Sequence, residues 1–177
     1  MPESVQTAAD GVCEQMRAQR LPRWQELPDL ELYMDQVLAL VDRWLGEYPG
    51  ADAKGLTASM VNNYVKQGVM PPPVKRRYGR VHLAWLIVIC VLKPVLPIAT
   101  IRVVAQRELT RVTEARAYDR FCELFEEAAV SAADNAAQDL AAKGHNGVSG
   151  ICHAALRAQA EQAMSLRLAA LAEQAKQ

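Results

Sequence analysis

Residues 56–80 read LTASMVNNYVKQGVMPPPVKRRYGR, and the fold class of the chain turns on this stretch. Thr57 is a suitable N-cap, and Gly68 suits the left-handed conformation just past a helix C-terminus, so the spacing predicts a short helix between them. Within it Met60, Val61, Tyr64 and Val65 form an apolar stripe, which leaves Ser59, Asn62, Asn63 and Lys66 on the opposite face. A solvent-facing helix surface usually carries Glu and Lys. A Ser/Asn/Asn/Lys face instead suits base-edge reading in a major groove, where Asn pairs with adenine through two hydrogen bonds; a plain polar surface is the alternative. Pro71, Pro72 and Pro73 then forbid helix and impose a stiff, extended exit. Lys75, Arg76, Arg77 and Arg80 follow around Tyr78 and Gly79, four cations placed to straddle a phosphate backbone, adding affinity rather than sequence choice. A solvated basic loop is the simpler reading. A proline-rich peptide ligand is disfavoured, because the prolines lie between two predicted core helices.

On the C-terminal side, Val81 to Leu92 is apolar nearly all round, which implies burial on every side. Periodicity alone would allow LIVICVL to be a central strand, but its length and surroundings favour a helix. Lys93-Pro94 breaks it, and Pro97 suits the first turn of another helix through about Leu109, with Ile98, Ile101, Val104 and Ala105 inward. On the N-terminal side, Asp29 can cap a helix whose apolar positions Leu30, Tyr33, Met34, Val37, Leu38, Val41, Trp44 and Leu45 recur at three- and four-residue steps. Gly46 to Gly50 ends that helix and Ala51 to Gly55 forms a loop. Residues 1–28, with Gly11, Pro22 and Pro28 and no sustained period, read as an arm holding at most one short helix.

From Thr113 the chain turns acidic and alanine-rich. Ala117, Phe121, Leu124, Phe125 and Ala128 are spaced as one helix stripe. A break at Gly144-His145-Asn146-Gly147 precedes a last helix starting near Ser149 or Gly150, with Leu156, Ala160, Met164, Leu168 and Leu171 in line. Helices with one greasy face must pack on the core, on each other or on a second subunit. The resulting organisation is an arm over 1–28, a helical domain over 29–110 and two helices over 111–177.

The chain has 177 residues, 51% hydrophobic and only 6% aromatic, which is material for one sizeable helical core. A formal net charge of +0 hides a segregation: nine basic residues and no acidic one lie between Lys54 and Arg107. The other 11 basic residues face all 20 acidic ones. A polyanion-binding segment flanked by acidic helices would produce this division, as would ordinary solvated faces. No basic leader precedes an apolar run at the N-terminus, and Leu83 to Leu92 is about half a membrane span, so a cytoplasmic protein is expected. The 4 cysteines, Cys13, Cys90, Cys122 and Cys152, are scattered without a CxxC pair, as suits a reducing compartment.

Catalytic chemistry is not supported. His145, Cys152 and His153 fit no standard zinc spacing, and adjacent residues on a helix point in different directions. His82 reads as a boundary or satisfied core histidine, and Glu123, Glu126 and Glu127 as a solvated face. Neither a phosphate-cradling glycine loop nor a nucleophile elbow occurs. No cofactor, no metal and no enzymatic activity are expected.

The stretch LTASMVNNYVKQGVMPPPVKRRYGRVHLAWLIVICVLKPVLPIATIR, with LYMDQVLALVDRWL ahead of it, resembles the bacterial family known as domain of unknown function 1836. That family is grouped with MerR-like winged helix-turn-helix proteins. The resemblance implies an all-α, MerR-like winged helix-turn-helix core with additional C-terminal helices. Its recognition helix would span 57–67, with Ser59, Asn62, Asn63 and Lys66, and its basic wing 71–80, with Lys75, Arg76, Arg77 and Arg80. Pro94 and Pro97 depart from the expected pattern, and the C-terminal helices lack the long dimerisation helix of MerR proteins. The expectation is therefore a transcriptional regulator that binds double-stranded DNA as a homodimer, its C-terminal helices supplying dimer contacts or receiving an effector. The alternative is a protein-interaction adaptor that keeps the winged fold without reading DNA.

Overall fold

The computed structural model describes residues 3–48, 50–52, 55–142 and 147–174. They form seven α-helices: α1 (Glu3–Arg17), α2 (Met34–Leu45), α3 (Ala58–Lys66), α4 (Arg80–Leu92), α5 (Ile98–Leu109), α6 (Glu114–Ala142) and α7 (Gly147–Gln174). A 3-10 turn at Trp24–Glu26 precedes α2. The chain divides into two compact units, one of Met1–Leu21 with Cys122–Ser165 and the other of Pro22–Phe121 with Leu166–Gln177.

In the second unit α4 packs on α2 and α5, and α2 on α3. Leu83, Leu86, Ile87, Ile89 and Cys90 of α4 are all but fully buried, as are Val37, Val41 and Leu45 of α2, Val61 of α3 and Ile101 of α5. Each large side chain so buried is worth roughly 1.5–3 kcal/mol, which is why so short a set of helices holds together. α3 begins where Thr57 Oγ1 accepts from the Met60 amide at 3.2 Å. It ends in a Schellman motif, the Gly68 amide donating to the Val65 carbonyl and the Val69 amide to that of Tyr64. Gly68 has φ +66°.

Among the described residues there is no β-strand. Among them, β-type backbone pairing amounts to two isolated bridges, Leu32 with Tyr78 and Val74 with Arg77. A winged helix-turn-helix requires a β-hairpin wing, so the expected MerR-like winged fold is excluded and the chain is simply all-α. The reason lies in the sequence around the expected wing. Three prolines carry no N–H to pair, and Gly79 already caps α4, so too few residues remain for two strands.

Several helix expectations are also corrected. α2 starts at Met34 with Tyr33 as N-cap, not after Asp29, because the Leu32 amide and carbonyl are both engaged by Tyr78. Leu30 and Tyr33 are consequently exposed. In α5 Ile101 is buried as expected, but Thr100 and Val103 join it in place of Val104, which is exposed. α7 begins at Gly147, two residues before Ser149. The break expected around Gly144 to Asn146 lies outside the described residues.

In the first unit Phe125 of α6 is buried as expected, but Cys122 and Ala129 replace Phe121 and Ala128 one position further on, Ala133 continues the face, and Leu124 is exposed. The arm does hold a helix, α1, longer than the short one its composition allowed for, and it buries Cys13. Arg17 Nε donates to Asp134 Oδ1 at 2.9 Å, fastening the end of α1 to α6. No helix is long and apolar enough to cross a membrane among the described residues.

Burial pushes the Cys90 thiol up to about 12, Asp52 adding repulsion and Lys93 opposing it. An unfolded cysteine ionises near about 8.5. The thiol therefore stabilises the fold fully below that pH, and the contribution is lost as pH rises toward the native value. Iodoacetamide at mildly alkaline pH is expected to modify the exposed Cys152 and spare Cys90 in the native protein, as read by mass spectrometry. Gly68→Ala is expected to cost about 1 kcal/mol in urea titration, from the left-handed backbone alone, since a Cβ there would meet nothing within 4 Å.

Candidate interaction surfaces

The residues expected to form a wing build a tight turn instead. The Arg77 amide donates to the Val74 carbonyl at 2.8 Å, and the two residues between, Lys75 and Arg76, have φ of 49° and 63°. Two successive positive φ values are the signature of a type I′ turn, which favours Asn-Gly because a Cβ is strained there. Lys and Arg occupy both positions, and both are exposed.

The turn is held from below. Leu32 and Tyr78 exchange backbone hydrogen bonds of 2.8 and 2.9 Å, and Tyr78 is buried. The ring of His82 packs edge-on to Tyr78 at 5.3 Å between centroids. His82 Nδ1 accepts the Gly79 amide at 2.9 Å, capping α4, and its Nε2 lies 3.4 Å from the Pro72 carbonyl. A carbonyl only accepts, so the ring proton sits on Nε2. His82 is thus a satisfied core histidine that ties the prolines to α4.

Above this base, the Arg77 guanidinium lies over the Tyr33 ring, 3.5 Å from its centroid, and donates to the Tyr33 hydroxyl. Val74, bridged to Arg77, is 67% exposed, and Tyr33 is 52% exposed. Cations, an aromatic ring and an aliphatic side chain therefore share one surface.

The four expected residues of α3, Ser59, Asn62, Asn63 and Lys66, are exposed on one helix, opposite the buried Val61 and Tyr64. Lys75, Arg76 and Arg77 gather at the turn. Arg80 does not join them: its Nε donates to the Leu27 carbonyl at 3.0 Å, its guanidinium pairs with Asp29 at 3.6 Å, and it lies over Trp24. Other basic residues of the segment are likewise engaged. Lys93 pairs with Asp52 at 2.7 Å, a bond that raises its pKa, and Arg102 donates to the Gln67 carbonyl at 3.1 Å. Lys54 lies outside the described residues. Arg77, Arg80, Lys93 and Arg102 are thus engaged within the fold, whereas Lys66, Lys75 and Arg76 are exposed. Sequence reasoning missed Tyr33, which helical spacing assigned to the core; the signal was Gln36 three residues on, whose side chain accepts the Tyr33 amide at 2.9 Å.

A second surface lies on α7. Leu156, Met164, Leu168 and Leu171 are exposed at 68, 56, 58 and 61%, and Ala160 between them is exposed as well. The stripe expected to pack is therefore bare. Near the start of α7, Asp139 Oδ2 accepts from His153 Nδ1 at 2.6 Å and from Arg157 Nη2 at 3.0 Å, joining α7 to α6. His145 is outside the described residues, and no group of His, Cys, Asp and Glu suited to a metal occurs among those described. Glu123, Glu126, Glu127 and Asp134 line a shallow acidic groove on α6.

The helices and their surfaces define an all-α protein without a wing. Over residues 22–125 the chain matches the family described as domain of unknown function (DUF1836), and it belongs to that family. No curated protein and no solved structure matches the chain significantly. The MerR-like grouping, and with it the expected double-stranded DNA partner, homodimer and transcriptional role, rested on a wing that does not form, and these expectations are corrected.

Replacing Lys75 by Asn and Arg76 by Gly together should stabilise the protein by about 1 kcal/mol, because these residues accept the left-handed backbone with less strain. Urea denaturation read by circular dichroism checks this.

Proposed function

We propose that the protein is a non-catalytic protein-interaction module working in the cytoplasm. The observation that carries this reading is α7, where Leu156, Met164, Leu168 and Leu171 lie on one face of the helix and are each more than half exposed. Water around such side chains is unfavourable at about 25 cal/mol per Å², and surfaces of this kind mark sites where another macromolecule docks. The helix is long, 28 residues, so its side chains are presented over several turns rather than as one scattered contact. Four cysteines without a disulfide fit the reducing compartment.

This reading differs from the winged adaptor considered from the sequence, since it needs no wing and rests on a different helix. Leu156→Glu and Met164→Glu, singly, should leave unfolding free energy within about 0.5 kcal/mol of the parent, because neither side chain supports a core. A photo-crosslinking residue at position 156 or 164 should capture a defined partner in cells, and Leu168→Glu should reduce that capture at least tenfold. A large loss of stability in the Glu variants would place these residues in the core and end the proposal. Crosslinking unchanged by Leu168→Glu would end it too.

A further inference from the structure

We infer that the turn at Val74–Arg77 is a docking surface for a protein segment that carries carboxylates beside an apolar side chain. Lys75 and Arg76 hold φ of 49° and 63° at a turn where Asn-Gly fits without cost. A strained backbone at an exposed position is retained where the side chains it displays have a use. Neither side chain serves the fold: both are exposed, and among the described residues no ion pair engages either.

The composition of the surface selects the class of ligand. Arg and Tyr are the residue types most enriched at the centres of protein interfaces, and here Arg77 is stacked on Tyr33 with Val74 bridged beside it. The stack already fixes the guanidinium, so a carboxylate meeting it costs little side-chain entropy. Val74, 67% exposed, offers an apolar contact for which a phosphate backbone has no counterpart. Negative charge is also close. Exposed Glu31 and Asp35 each lie two residues from Tyr33, and Asp29 is paired with Arg80. A continuous line of phosphates would be repelled there, whereas a protein segment can place its carboxylates only at the cations. The surface is separate from the α7 stripe, and the inference does not depend on it.

Selection of a random dodecapeptide display library on the full-length protein tests this. Enriched peptides are expected to hold Asp or Glu within two residues of Leu, Phe or Trp. Their affinity should fall about tenfold, equal to the loss of one good charged contact, in the double variant Lys75→Asn, Arg76→Gly. That variant keeps the turn and should show a raised Tm, so lost binding cannot be ascribed to unfolding. Binding should be unchanged by Met164→Glu. The inference is overturned if no peptide is enriched, if enriched peptides lack acidic residues, or if the double variant binds them equally. It is also overturned if oligoglutamate or a duplex oligonucleotide competes as well as the peptide at equal charge concentration. Peptides sensitive to Met164→Glu alone would sustain the α7 reading while removing this one, and the reverse pattern would do the opposite.

Discussion

The reciprocal backbone pairing of Leu32 with Tyr78 is the constraint on which most of the second unit depends. It joins the segment ahead of α2 to the segment ahead of α4, across 46 positions of sequence in which α2 and α3 are enclosed. The pair fixes where both helices begin: Tyr33 becomes the N-cap of α2, and Gly79, with His82 as its acceptor, becomes that of α4. It also buries Tyr78, and burial pushes the phenol's pKa upward. With two helix starts set by a single bridge, the contact of α2 with α4 follows, and α3 and α5 close onto that pair.

Acceptors elsewhere in the fold account for part of the basic segment. Lys and Arg are long side chains whose charged ends reach carbonyls and carboxylates that the fold would otherwise leave without a donor. Arg80 satisfies the Leu27 carbonyl, Arg102 that of Gln67, and Lys93 joins Asp52, whose own amide donates to the Cys90 carbonyl. A surplus of cations in one part of the sequence thus reflects acceptors supplied from other parts. Lys75 and Arg76 at the turn, and Lys66 on α3, instead stand exposed.

Much of the helical order was legible in the sequence because its signals are local. Thr57 and Gly68 delimit α3 through side-chain and backbone bonding within a few residues, and α4 announces itself by having no polar face. What could not be read depends on distant partners. Leu30 and Tyr33 have helical spacing, but a residue 46 positions away withdraws Leu32 from the helix. Likewise, the charges at 75–80 look equivalent in sequence, yet Arg80 faces Leu27 and Asp29 while Lys75 and Arg76 face solvent. The expected wing failed for a related reason: a resemblance carries a family's fold only where the chain has the backbone donors to make it, and Pro71 to Pro73 have none. The α7 stripe was legible as a stripe, but no pattern within a helix says whether anything covers it.

The enclosure of α4 has a consequence for how the molecule opens. Its backbone hydrogen bonds lie behind Leu86, Ile87 and Ile89, side chains with essentially no exposure, so water reaches those amides only when the second unit comes apart as a whole. Their deuterium exchange therefore reports global unfolding. The amides of α7, whose large apolar side chains already stand in solvent, have no such enclosure.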